Sequence, residues 1–119
     1  MSLKILVVDD AASDRDNITS ILKEKGYSVL TANNADEGIE KAGSEKPDLI
    51  FLDVVMPGKS GYEACRAIKK NPETKDIKVF FVTSKNQKAD VIMGEMQGAA
   101  GHIGKPFDNN EIEKAVSSV

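Results

Sequence analysis

The chain has 119 residues, enough for one domain with one hydrophobic core. Apolar residues make up 40% and charged residues 29%, an ordinary balance, and the net charge of −3 disfavours a nucleic-acid surface. The one cysteine, Cys65, excludes an internal disulfide and points to a reducing compartment. No apolar run approaches the roughly 20 residues needed to cross a bilayer, and no signal-peptide pattern opens the chain, so the expected location is cytoplasmic, with no membrane partner.

Strand and helix patterns alternate from end to end, without a linker, repeat or low-complexity stretch. "KILVV" (Lys4 to Val8) is a continuous apolar run, as expected of a strand covered on both faces. "SDRDNITSILKEKG" predicts a helix, with Ser13 and Asp16 as a capping pair, Ile18, Ile21 and Leu22 at helical spacing and Gly26 at the end. "YSVLTA" predicts a second strand, and "NADEGIEKAG" a short helix capped by Asn34 and Glu37 and closed by Gly43. "LIFL" (Leu49 to Leu52) is a third buried strand. Ser60 and Glu63 open the next helix, which Asn71-Pro72 ends. "IKVFFV" (Ile77 to Val82) is the fourth strand, and Asn86 to about Met96 the fourth helix, weakened by Gly94. "HIG" is a short fifth strand. Asp108 and Glu111 cap a last helix with Ile112, Ala115, Val116 and Val119 on one side.

Five strands alternating with five helices predict one α/β domain over residues 1–119, a doubly wound parallel sheet with right-handed crossovers. The length fits the flavodoxin-like strand order 2-1-3-4-5, in which ligands bind beyond the carboxyl ends of strands one and three. The charges fall at that edge. Strand one ends in Asp9-Asp10 and strand three in Asp53; strand four ends in Thr83-Ser84, and strand five in Gly104-Lys105-Pro106.

Singly, each group has an ordinary role. A strand-end Asp is commonly a turn residue or cap, Thr83 is placed to cap a helix, and lysines usually lie at the surface. Together they describe a chemistry. Three converging carboxylates repel one another unless a hard divalent cation such as Mg²⁺ joins them. A carboxylate can also attack phosphorus, and the transfer then needs cations around the equatorial oxygens. A hydroxyl and an ammonium complete a phosphoryl-accepting site.

On "ILVVDD", "PDLIFLDVVMPGKSGYE", "VFFVTS" and "GHIGKPF" the chain resembles a response-regulator receiver domain of the CheY type. The resemblance implies that Asp53 is the phosphoacceptor, supplied by a partner histidine kinase. It implies Mg²⁺ as cofactor, held by Asp10, Asp53 and the Val55 backbone carbonyl, with Asp9 beside it through water. It assigns Thr83 and Lys105 to the phosphoryl oxygens and makes Lys105-Pro106 a candidate cis bond. The turn at Met56-Pro57-Gly58 would leave the Val55 carbonyl facing the metal, and Gly61 would permit close packing where the next helix begins.

The resemblance also implies a switch: Thr83 moves toward the phosphoryl group, and the aromatic three residues before the lysine swings inward. Here that position is His102, smaller than Tyr and able to carry charge. The output surface would be the fourth helix, fifth strand and fifth helix, binding a downstream protein target. Met93 falls there, whereas Met96 is assigned to the core. The resemblance also implies that Val55 and Lys85 stand at the two positions that tune phosphoryl lifetime. A narrower resemblance, carried by "VTSKNQKADVIMGEMQGA", is to PilH/PilG-type receivers of chemosensory systems that control type IV pili.

The expectation is therefore a phosphorylation-controlled binding module, not an enzyme beyond weak self-phosphorylation and self-dephosphorylation. It would be a monomer, or a dimer on activation, with output through a partner because the chain stops after helix five. The alternatives are a receiver cut from a longer regulator, a flavodoxin-like carrier and an Asp-nucleophile phosphatase. "DDAASDRD" is acidic where a flavin phosphate would bind, and a phosphatase would carry its nucleophile on strand one.

Overall fold

A computed structural model describes residues 3–119; the first two positions of the expected domain lie outside it. Strands β1 (Lys4–Val8), β2 (Ser28–Ala32), β3 (Leu49–Leu52), β4 (Lys78–Thr83) and β5 (Gly101–Gly104) alternate with helices α1 (Ala12–Glu24), α2 (Ala35–Glu45), α3 (Gly61–Lys70), α4 (Lys88–Met96) and α5 (Asn109–Ser117). The sheet is parallel, in the order β2-β1-β3-β4-β5. This is the doubly wound α/β architecture that the sequence predicts.

Strand residues alternate between faces, and each face is covered. Leu6, Val8, Ile50, Leu52, Val79 and Phe81 pack with Ala35, Ala42, Ala64, Cys65 and Ile68 of α2 and α3. Ile5, Val7, Leu49, Phe51 and Ile103 pack with Ile18, Ile21 and Leu22 of α1 and Ile112, Ala115 and Val116 of α5. Burial of Cys65 pushes its thiol up to about 11, so it behaves as a small hydrophobe.

Three helix starts form as local chemistry dictates. Asn34 accepts from the Glu37 amide, Ser60 from the Glu63 amide, and Asp108 exchanges bonds with Glu111. Other expectations are corrected. Ser13 and Asp16 lie inside α1; its N-cap is Ala11, whose amide is taken by the Asp9 carboxylate at 3.0 Å. Helix α2 continues past Gly43 and ends at Lys46, in the left-handed region with φ 48°. Helix α4 starts at Lys88, where Asp90 accepts from the Gln87 amide, and it runs through Gly94. Strand β2 begins at Ser28, one residue after Tyr27, while β4 and β5 span Lys78–Thr83 and Gly101–Gly104. Met96 is 73% exposed rather than in the core, and Val119 is exposed beyond the end of α5.

Candidate functional site

The carboxyl ends of β1 and β3 lie side by side, with Val8 opposite Leu52. The next residues on each strand are therefore brought together, and they are Asp9 and Asp53. The ladder continues one step further, because the Asp53 amide donates to the Val8 carbonyl at 3.0 Å. Carboxylate oxygens of Asp9, Asp10 and Asp53 lie within 4.8 Å of one another. Asp9 and Asp53 are buried, and Asp10 faces solvent.

Lys105 closes the cluster from the other side. Its amide donates to the Thr83 carbonyl at 2.9 Å, and its bond to Pro106 is cis, as the resemblance implies. Its Nζ lies 2.9 Å from Asp9 Oδ2, 2.9 Å from Asp14 Oδ2 and 3.3 Å from Asp53 Oδ2. Burial alone would lower the lysine. The hydrogen bonds to Asp14 and Asp9 and the charge of Asp53 outweigh that and hold the ammonium well above the ordinary lysine range. Asp9 goes the other way: burial raises its carboxyl above the usual 3.8, and the charge of Asp53 adds to the rise, despite its bonds to Lys105 and Ala11.

The two oxygens of Asp53 differ. Oδ1 accepts from the Val54 amide at 2.7 Å, with the Val55 amide at 3.4 Å, and Oδ2 faces Lys105. Behind them, Gly61 donates to the Val54 carbonyl at 2.8 Å. A Cβ on Gly61 would lie 2.0 Å from the Asp53 carbonyl oxygen, so close approach explains this glycine. Val55 is 53% exposed.

Thr83 is fully buried at the same edge, and its Oγ1 accepts from the Lys85 amide at 3.1 Å. It does not cap α4. His102 pairs in register with Phe81 on β4, and its ring lies 6.0 Å from the Phe81 ring. His102 Nε2 is 2.7 Å from the Lys85 carbonyl oxygen, while Nδ1 is buried without a partner. Thr83 and His102 thus hold the two sides of one residue's backbone, Lys85. The site gathers Asp9, Asp10, Asp53 and Lys105, and leaves His102 linked to it only through the loop after β4. Asp14 is the member that sequence reasoning missed. Its signal was an acid in the first turn of a helix, which is unremarkable in itself.

The sequence matches the response regulator receiver domain over residues 5–117. The chain belongs to that family. This receiver is 39% identical to Protein PilH of Pseudomonas aeruginosa over 116 residues, 98% of this chain and 96% of that one. It is 35% identical over its full length to PhoP of Bacillus subtilis, an alkaline phosphatase synthesis transcriptional regulatory protein, where the match spans 49% of the longer chain. Among solved structures it is similar to the chemotaxis protein CheY4 of Vibrio cholerae, with a TM-score of 0.93 and 30% identity, covering 100% of this chain and 99% of that one. Receivers are signalling regulators, not classical enzymes, and no helix among the described residues is long and apolar enough to cross a membrane.

Proposed function

We propose that this receiver is a phosphoacceptor module of a two-component system, with Asp53 taking a phosphoryl group from the phosphohistidine of a kinase. The observation that carries this is one arrangement: three carboxylates with oxygens within 4.8 Å of one another, and Lys105 Nζ 3.3 Å from Asp53 Oδ2. Asp53 Oδ1 is engaged by backbone amides, which leaves Oδ2, whose contact is the longer one to Lys105 Nζ at 3.3 Å, as the nucleophile. Its lone pair forms the new O–P bond as the P–N bond to the imidazole breaks. The electron pair stays on the imidazole nitrogen, which then takes a proton.

The donor set is all hard oxygen, and the single ammonium of Lys105 offsets only part of its negative charge, which suits Mg²⁺. Asp10, Asp53 and the Val55 carbonyl would hold the ion, with Asp9 beside it, and bound Mg²⁺ supplies charge neutralisation to the transferring oxygens. Lys105 supplies a second positive charge from the protein itself. Thr83 is the hydroxyl placed to turn from the Lys85 amide toward a phosphoryl oxygen. That turn frees the Lys85 backbone, to which His102 is bonded, and so carries the change toward α4 and β5. Exposed Ile92, Met93 and Met96 on α4 give the output face an adaptable apolar surface for a downstream target. The resemblance to PilH supports a chemosensory pathway acting on type IV pili. A flavin carrier is disfavoured, since four carboxylates occupy the edge where a phosphate would sit.

Intact-mass analysis after incubation with acetyl phosphate and Mg²⁺ tests the reading. One labile phosphoryl group is expected, absent from Asp53→Asn and absent in EDTA. An unmodified wild type beside a modified control receiver would refute it.

A further inference from the structure

The phosphoacceptor reading leaves one carboxylate of the pocket without a task. Asp14 Oδ2 sits 2.9 Å from Lys105 Nζ, as close as Asp9 Oδ2 and closer than Asp53 Oδ2 at 3.3 Å. An ammonium has three N–H donors, and here each carboxylate draws on one, with Asp53 the most distant. Asp14 also lies on the solvent side of the cluster: its side chain is 42% exposed, against 2% for Asp9 and 9% for Asp53. The neighbouring Arg15 gives it no neutralising bond among those seen, since Nη1 donates to the Asp9 carbonyl oxygen.

We propose that Asp14 is a positioning residue that sets the pace of phosphoryl uptake, holding Lys105 toward α1 and adding negative charge at the solvent side of the pocket. This rests on the reading of Asp53 as acceptor. The consequences run in opposite directions for cations and anions. A fourth carboxylate draws a divalent cation into the cluster and repels an anionic phosphodonor. While Lys105 is shared with Asp14, less of its charge is offered to the oxygens of an arriving phosphoryl group. Water and salt screen a half-exposed charge, so the effects are several-fold rather than orders of magnitude. An acid that merely favours a helix N-terminus would change stability, and would not split cation binding from anion attack.

The test compares wild type, Asp14→Asn and Asp14→Glu by calorimetric titration with Mg²⁺ alone, and by labelling with acetyl phosphate at Mg²⁺ saturating for each protein. Asp14→Asn is expected to bind Mg²⁺ about three- to tenfold more weakly and to label about three- to tenfold faster, both differences shrinking at high ionic strength. Asp14→Glu keeps the charge and is expected to follow wild type. Unchanged Mg²⁺ affinity, labelling that is no faster in Asp14→Asn, or an Asp14→Glu that matches Asp14→Asn overturns the proposal while a labelled wild type leaves the phosphoacceptor reading intact. An unlabelled wild type beside a labelled control receiver overturns that reading, and the proposal with it.

Discussion

Gly61 and Asp53 touch through their backbones: the Asp53 carbonyl oxygen occupies the space 2.0 Å from where a Gly61 Cβ would stand. The contact is with main chain, so no side chain can swing away to relieve it. Gly61→Ala must displace the β3–α3 turn, and with it the carboxylate on that turn. The expected loss is about 2–3 kcal/mol, at the upper part of the range for overpacking. Gly43 is the control. It lies inside α2 with nothing within 4 Å of its would-be Cβ, so Gly43→Ala should gain about 0.5–1 kcal/mol. Urea melts of the two variants measure both, and a Gly61→Ala as stable as wild type would refute the steric argument.

Lys105 neutralises a cluster that is otherwise all negative. Lys105→Met should cost about 3 kcal/mol without metal, because it leaves buried carboxylates unpaired. Saturating Mg²⁺ should restore most of that by binding the folded state. The pH dependence has a definite sign. Lys105 is raised above its ordinary 10.5, so its contribution is full below about pH 10.5 and disappears as pH climbs toward the folded value. The stability gap between wild type and Lys105→Met should therefore be flat near neutrality and close at the alkaline end. Asp9 adds a fall of the same sign in an acidic window, because its raised carboxyl also binds a proton more tightly when folded. Stability should fall as pH rises above 3.8 toward its folded value, a slope absent from Asp9→Asn. Equal slopes in the two proteins would contradict this.

The features legible in the sequence are those whose causes are local. Asn34 with Glu37, Ser60 with Glu63, and Asp108 with Glu111 each act within three residues, and each capping amide bond forms where expected. Ser13 and Asp16 carry the same pattern and fail, because Asp9 already serves the Ala11 amide and the N-cap lies at Ala11, ahead of Ser13. Met96 fails for a different reason. It is the last residue of a short helix whose close contact with the sheet is made by Gly94 against Phe81, so it projects outward. The acidic edge was readable because three strands end in Asp9, Asp53 and the residue before Lys105. Asp14 was not, since its meaning lies in a contact 91 residues away.

His102 and Thr83 share Lys85, and this predicts that their effects are coupled. Thr83→Ala removes the acceptor of the Lys85 amide, and His102→Ala removes the group on its carbonyl. If the ring is the switch, His102→Ala should abolish the change in partner affinity that a phosphoryl mimic produces, with little change in affinity without it. The double variant should then cost no more than either single one, by a double-mutant cycle. Unchanged partner affinities in His102→Ala, with and without the mimic, would remove His102 from the switch.

Val55 predicts a long phosphoryl lifetime. An aspartyl phosphate is lost when water attacks phosphorus, and a polar neighbour hastens this by orienting that water. Val55 stands two residues after Asp53; it is 53% exposed, and its side chain has no group that donates or accepts a hydrogen bond. Val55→Asn adds both kinds of group without filling buried space. It should shorten the lifetime severalfold while leaving stability within about 0.5 kcal/mol, as for other surface changes. The measurement is loss of label after the donor is removed, followed in parallel for the two proteins. A label lost from wild type within seconds, or at the same rate from Val55→Asn, would show that Val55 does not govern water access to the phosphoryl group.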